Sequence, residues 1–269
     1  MSKVIAADIG GTNLRVSLVE KGKILMYIKK TTPKNKLDFL KELHSSIEEL
    51  MSSEVKAIGV GSPGPLKDGV IKNPPNIPLK NFNLKKELEK RFHRRVVIEN
   101  DVKCVALAEA KLGCRKKNFI VLAFGTGIGG GIVVNGELYK GGGYAGELGH
   151  IVLDNGKYFE TIWKETGEEI KNNFGKEILM KDLVKMNNSE SNTILNKICN
   201  YIGQGIGSAI NVFDPEIVII NGGMKEAGDA LLNRIKKEAK KYSIMPHETP
   251  ISWSKLEHPG TLGASLLVF

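Results

Sequence analysis

The amino-acid sequence predicts an α/β protein built of two related lobes with a cleft between them, and three observations predict it. The order strand, glycine turn, strand, turn, strand, then helix and strand occurs twice, beginning near residues 4 and 119. A glycine cluster falls at the matching place in each half, at Gly10-Gly11 and at Gly125 to Gly130. At 269 residues, the chain is long enough for one large domain or two smaller lobes, and ligands prefer the clefts between such lobes.

Each element follows from local pattern. Val4 to Ala7 is a short β-rich run, Gly10-Gly11 turns, Leu14 to Val19 resumes alternation, and Ile24 to Ile28 completes a meander after Lys21-Gly22. Leu37, Leu40, Leu43, Ile47 and Leu50 repeat at helical spacing, so 37–51 reads as a helix. Val55 to Val60 is a buried-type strand that ends in the turn-rich Gly61-Ser62-Pro63-Gly64-Pro65. A proline-rich loop at 73–78, a helix to Phe92, a strand at Val96 to Ile98 and a helix from Val102 to Leu112 close the first half. The second half opens with strands at Phe119 to Phe124 and Ile128 to Val134, and Asn135-Gly136 is a strong hairpin signal before Glu137 to Tyr139. Helices dominate from Glu160 to Phe213, then a strand at 216–220 and a helix at 225–242 follow. Pro259 to Phe269 reads as a helix returning to the first lobe, which sets the expected division at 1–101 plus 259–269 for a small lobe and 102–258 for a large one.

Composition narrows the class. Hydrophobic residues make up 41% and charged residues 26%, ordinary for a folded soluble chain. No stretch approaches the roughly 20 apolar residues of a membrane helix, and the N-terminus enters a strand at once, leaving no room for a signal peptide. Cys104, Cys114 and Cys199 are scattered and form no CxxC pair, which fits a reducing cytosol, so the expected location is cytoplasmic. The net charge of +9 raises nucleic acid as a partner. The lysines are dispersed, however, and the densest cluster, Lys85 to Arg95, mixes in glutamates as an exposed helix face does. No nucleic acid and no membrane are therefore expected as partners.

The second glycine cluster satisfies GxGxxG after a strand, but a dinucleotide site needs a helix next. Gly131-Ile132-Val133-Val134 instead runs into a hairpin, and the chain holds no GxxxxGK[ST] string, so neither a Rossmann site nor a P-loop fits. A tight hairpin turn can still cradle phosphate through converging backbone N–H groups. Gly10, Gly11, Thr12 and Asn13 form one such turn; Gly125, Thr126 and Gly127 form the other. Asp8, at a strand end beside the first, suits Mg²⁺ held through water. Gly222-Gly223, between a strand and a helix, could lie flat against a nucleoside.

DIGGTNLR, the SPGP turn, Glu99-Asn100-Asp101, AFGTGIGGG, AGELGH and IVIINGGM occur in this order over nearly the whole chain. Together they resemble the ROK family of sugar kinases, within the actin/hexokinase/Hsp70 superfamily of two-lobed ATPases. The resemblance implies two ribonuclease-H-like, actin-like ATPase lobes that close on a hexose and ATP, and it points to a homodimer. It implies that Asp101 is the base that takes the proton of the sugar 6-hydroxyl. Gly222 and Gly223 would flank the adenosine. Asn100, Glu147, His150 and Glu160 would contact the sugar, with Asn76 and the Gly64 backbone beside them. In the family the histidine also binds a structural zinc with cysteines of a CxCGxxGC string. Here IVLDNGKYFETIW follows His150 with no cysteine, so structural zinc is not expected. Glu99 matches no contact of the family pattern and reads as exposed.

The function expected is ATP-dependent, Mg²⁺-supported phosphorylation of a hexose, glucose or several hexoses, at the 6-hydroxyl. The alternatives are a kinase of N-acetylmannosamine or N-acetylglucosamine, and a non-catalytic sugar- or nucleotide-binding relative. A sugar-responsive repressor would carry a helix-turn-helix ahead of the core, and the phosphate turn at residue 8 leaves no space for one.

Overall fold

A computed structural model describes residues 3–74, 76–175 and 178–269. Met1, Ser2, Pro75 of the proline-rich loop, and Lys176 and Glu177 of the expected helical stretch lie outside the described residues. The first half comprises β1 (Lys3–Ile9), β2 (Asn13–Glu20), β3 (Lys23–Thr31), α1 (Lys36–Leu50) and β4 (Val55–Ser62). The short strands β5 (Leu66–Lys67), β6 (Val70–Ile71) and β7 (Phe82–Asn83) follow, then α2 (Leu84–Phe92), β8 (Arg95–Asn100) and α3 (Asp101–Lys111). The second half runs β9 (Phe119–Phe124), β10 (Ile128–Val134), β11 (Glu137–Leu138), β12 (Val152–Asp154), β13 (Lys157–Tyr158) and α4 (Phe159–Phe174). It ends with α5 (Met180–Met186), α6 (Ser189–Phe213), β14 (Ile217–Gly222), α7 (Gly228–Tyr242), β15 (Ile251–Trp253) and α8 (Pro259–Leu266).

Among the described residues, two five-stranded sheets share one strand order, β3-β2-β1-β4-β8 and β11-β10-β9-β14-β15. β1 pairs antiparallel with β2 and parallel with β4; β9 pairs antiparallel with β10 and parallel with β14. The repeat read from the sequence is thus a repeat of topology. β5–β7, the β12–β13 hairpin and β15 carried too few residues to stand out as strands. The helix expected from Lys225 begins as a 3-10 turn at Gly223–Ala227, and α7 proper starts at Gly228.

β1 shows why the first sheet is covered on both faces. Ile5, Ala7 and Ile9 join Phe39, Leu43 and Ile47 of α1 in one core. Ala6, pointing the other way, packs with Cys104 of α3 and Ala264 of α8. That second face demands small residues. A Cβ on Gly59 would lie 1.8 Å from the Ala264 carbonyl oxygen, and one on Gly263 would lie 1.7 Å from that of Cys104, so α8 touches β4 and α3 backbone to backbone.

The chain separates into two compact units: residues up to Arg115 with Glu137–Ala145 and Leu256–Phe269, and Lys116–Gly136 with Gly146–Lys255. These do not follow the boundary expected at 101/102. α3 stays with the first unit because its Cys104 face is sealed by α8 and β4. The basic cluster is partly committed to the fold: Arg91 pairs with Glu48, Arg94 bonds the Val55 carbonyl and Arg95 that of Val268. No helix among the described residues is long and apolar enough to cross a membrane.

Candidate active site

In the first unit, the parallel strands β1, β4 and β8 end at one edge, where open α/β sheets bind ligands. Register places Asp8 opposite Gly61 and Gly61 opposite Glu99, with Ser62 opposite Asn100 one residue on. Gly61 keeps this edge compact, since a Cβ there would lie 3.3 Å from the Cys104 sulfur and 3.5 Å from the Asp101 Cα. The Cys104 thiol is pushed well up by burial and then by the charges of Glu99, Asp8 and Asp101, against the pull of Lys140. A thiol so raised is inert.

Asp8 is largely enclosed. Burial pushes its carboxyl up from the ordinary carboxylate range, against the pull of Arg15, whose guanidinium lies 3.3 Å away, and of His258. Gly260, in the first turn of α8, makes room for it: a Cβ there would sit 3.0 Å from the carboxyl carbon and both oxygens. A lone oxygen donor set of this kind fits Mg²⁺ held through its own waters, because Mg²⁺ dehydrates reluctantly.

The turn after β1 is organised so that its carbonyls are held. Gly10 N donates to Asn13 O at 2.9 Å, the Thr32 hydroxyl to Gly10 O at 2.7 Å, Lys34 Nζ to Gly11 O at 2.8 Å, and Thr32 N to Thr12 O at 2.9 Å. With its acceptors occupied, the turn presents N–H groups and one ammonium, which suits an anion. Sequence reading missed Lys34, whose only signal was a cation three residues beyond the strand that flanks the turn. Asn76 is brought directly against this turn, since a Cβ on Gly11 would lie 2.5 Å from the Asn76 Cβ.

Three residues take roles here that local sequence pattern did not show. Gly64 has φ of +86°, and its missing side chain accommodates Pro74, 2.7 Å from where a Cβ would stand, so the glycine shapes the proline-rich loop. Asn100 caps α3: its Oδ1 accepts from Val102 N at 3.0 Å and Lys103 N at 3.1 Å. The acceptor is thereby committed, leaving the side-chain amide as a donor. Asp101 occupies the first helical position, and one carboxylate oxygen takes Val102 N at 2.9 Å. Glu99 is buried, at 9% exposure, and ion-paired with Lys140 at 2.7 Å, which corrects its reading as exposed.

In the second unit the equivalent edge carries the other turn. Gly125 N donates to Gly127 O at 2.9 Å, and β10, not a helix, follows. Glu160, expected at the sugar, has both oxygens engaged: Ile128 N donates to Oε2 at 2.9 Å, and Lys164 pairs with Oε1. A Cβ on Gly127 would collide with that carboxylate at 2.2 Å. Trp163 Nε1 also bonds Gly125 O at 3.0 Å, so α4 fixes this turn from two sides. Thr126 is exposed at its tip.

Gly130 of the cluster, with Gly149 beyond it, serves packing. A Cβ on Gly130 would meet the Gly146 carbonyl at 2.2 Å, and one on Gly149 the Ile128 carbonyl at 2.2 Å, so AGELGH lies flush on β10. Leu148 enters the core there, which turns Glu147 and His150 outward as exposed neighbours 3.7 Å apart. Where the family carries cysteines, this chain folds the β12–β13 hairpin on Asn155-Gly156, both at positive φ. That dipeptide is the same hairpin signal as Asn135-Gly136 and was legible in the sequence. Tyr158 packs on the His150 ring at 5.5 Å, Phe159 and Trp163 pack edge-on against Phe124, and Tyr201 bonds Asp154 at 3.2 Å.

Gly222 and Gly223 divide in role. Gly222 has φ of +116°, and a Cβ would lie 1.9 Å from the Phe124 carbonyl oxygen, so β9 and not a nucleoside requires it. Gly223 is exposed with open space where a side chain would go, beside the end of β9 that leads into Gly125.

Comparison with known proteins bears on the whole of this arrangement. The glucokinase of Thermotoga maritima is 30% identical over 312 aligned positions, covering 99% of this chain and 97% of the relative. The structure of a ROK hexokinase from Thermus thermophilus superposes with a TM-score of 0.84 at 27% identity, covering 98% of this chain and 97% of that one. A ROK family glucokinase from Streptomyces griseus, in complex with glucose and AMPPNP, matches with a TM-score of 0.86 over 98% of both chains; at 24% identity that likeness speaks to the fold. Residues 4–269 match the ROK family throughout, and the chain belongs to it.

Proposed function

We propose that the protein is an ATP-dependent hexokinase that transfers the γ-phosphoryl group to the 6-hydroxyl of a hexose, glucose foremost. The observation that carries this reading is the edge of the first sheet, which sets Asp8 and the Asn100-Asp101 pair on either side of Gly61 beside an anion-binding turn. Asp101 takes the hydroxyl proton as the oxygen attacks phosphorus, one carboxylate oxygen being oriented by Val102 N. Asn100 donates its amide to a sugar hydroxyl, and Asn76, lying against Gly11, places a second polar group between sugar and phosphate. Glu147 and His150 offer acceptor and donor to the remaining hydroxyls. Asp8 would hold Mg²⁺ through the ion's waters, and the ion would neutralise charge on the transferring phosphates. The Gly10–Asn13 turn of the first unit offers backbone N–H groups to phosphate, the Gly125–Gly127 turn offers them in the second, and Gly223 there leaves open space for a nucleoside.

Similarity to glucokinases at 30% identity and to a solved ROK hexokinase supports this assignment. The test is coupled ADP release with MgATP against glucose, mannose, fructose, allose and N-acetylhexosamines. Sugar-dependent release supports the kinase and ranks its substrates; preference for an N-acetylhexosamine replaces glucose with that class. ATP binding without release with any sugar refutes the reading in favour of a non-catalytic relative. Asp101→Ala abolishes turnover while nucleotide binding stays close to wild type. A cytosolic location and a homodimer belong to the same proposal, checked by fractionation and by light scattering.

A further inference from the structure

The segment Glu137–Ala145 packs within the first unit through three side-chain bridges to one helix and the residues before it. Lys111 pairs with Glu137 at 2.9 Å, Lys140 with Glu99 at 2.7 Å, and Lys103 donates to the Gly143 carbonyl at 2.7 Å. Lys140 also closes the segment on itself: its carbonyl accepts from Gly143 N at 2.8 Å and Ala145 N at 3.2 Å. Without such ties, three consecutive glycines would be the loosest stretch of the chain, with Gly141 at φ +53° and Gly143 at φ +113°. Yet that stretch leads within a few residues to Glu147 and His150.

Glu99 is the centre of these ties. Its side chain is 11% exposed, and a carboxylate so enclosed needs partners for both oxygens. One oxygen takes the Asn100 N–H at 2.9 Å, and the other takes the Lys140 ammonium. Asn100 is the cap of α3, and Asp101 is its first residue. A single buried carboxylate therefore holds the backbone that aims Asp101 on one side and the glycine segment on the other. Lys103, 4% exposed and two residues beyond Asp101, supplies the second tie from the same helix turn.

We propose that Glu99 and Lys140 are positioning residues for phosphoryl transfer, fixing the Asn100-Asp101 junction and the Lys140–Ala145 turn relative to each other. The proposal rests on the reading of Asp101 as the base. A salt bridge that merely stabilised the fold would lower the folded fraction and leave turnover per folded molecule unchanged. A positioning pair lowers kcat and raises the sugar KM in the folded enzyme, because small misplacements of a base are costly.

The test uses the full chain as Lys140→Met, Lys140→Arg, Glu99→Gln and the Glu99→Gln/Lys140→Met double variant, with rates referred to protein competent to bind ADP by calorimetry. Lys140→Met is expected to lose at least fivefold in kcat/KM for the sugar, with ADP affinity within twofold of wild type, and Lys140→Arg to recover most of it. The double variant should be no worse than the poorer single one, since both remove one interaction. A loss under fivefold, a failure of arginine to rescue, or a double variant whose loss is the product of the singles overturns the proposal. Hydrogen exchange gives a readout independent of catalysis: Lys140→Met should speed exchange at least threefold in a peptide spanning residues 96–104, and a smaller change overturns the tie. If the wild-type protein phosphorylates no sugar, the kinase reading fails, while the exchange experiment still decides whether Lys140 orders the junction.

Discussion

Gly222 and Gly223 are neighbours of identical chemistry, and the structure assigns them opposite sensitivities to one added methyl group. At Gly222 the backbone lies at φ +116°, ψ 178°, a region open essentially to glycine alone, and the new Cβ would stand 1.9 Å from the Phe124 carbonyl oxygen. That carbonyl belongs to β9, is in register with Gly222, and precedes Gly125 of the second phosphate turn. Backbone strain of about 1–3 kcal/mol and overpacking of about 1–3 kcal/mol together put the cost of Gly222→Ala near 4 kcal/mol. At about 2–4 °C per kcal/mol, the unfolding midpoint should fall by about 8–16 °C. Both tryptophans report the transition locally, since Trp163 bonds Gly125 O and Trp253 bonds Gly228 O. At Gly223 nothing lies within 4 Å of the added Cβ, so Gly223→Ala should leave stability within about 0.5 kcal/mol of wild type. Its methyl group should be felt by bound nucleotide, raising the KM for ATP several-fold. Thermal melts followed by tryptophan fluorescence, alongside ATP kinetics, separate the two effects. A Gly222→Ala protein that melts within 1 °C of wild type refutes the packing argument, and an unchanged ATP KM in Gly223→Ala removes the adenosine from that position.

Three further outcomes are expected. Asn100→Ala should cost about 1–2 kcal/mol through the lost cap, whereas Asn100→Asp keeps the cap oxygen, loses the amide donor and raises the sugar KM at near-native stability; denaturant melts and sugar kinetics check both. Glu160→Ala should raise the ATP KM by freeing Ile128 N and the glycine turn, while Glu160→Gln retains an acceptor and stays closer to wild type; a selective rise in sugar KM would instead place Glu160 at the sugar. His44 is held neutral: burial pushes its pKa down, Arg91 adds to this, and Glu87, 3.5 Å away, and Glu48 oppose it. A base whose folded pKa is lowered binds fewer protons folded than unfolded, so its contribution is present above the ordinary histidine pKa of about 6.5 and is lost as pH falls below it. Urea melts at pH 7.5 and pH 5 should show that loss, at most about 1.4 kcal/mol per pH unit, and His44→Leu should flatten it; an equally steep slope in that variant contradicts the assignment.

Topology and the glycine turns of the candidate site were legible in the sequence, because they rest on local pattern. The β-rich runs of β1 and β10, the 3.6-residue repeat of α1, the glycines after β1 and β9, and Asn135-Gly136 each act within a few residues of themselves. Aspartates at strand ends were visible for the same reason. What each glycine and carboxylate does was decided only by partners distant in sequence. Gly64 answers to Pro74, Gly222 to Phe124, Gly130 to Gly146, and Glu160 to Ile128 across a separation of 32 residues. Glu99 looked idle until Lys140, far along the chain, came to lie on it. A glycine written in a sequence announces either conformational freedom or close approach, and a carboxylate announces charge. Which backbone approaches, and which cation arrives, is settled by steric exclusion and charge pairing that exist only once the sheets and helices have packed.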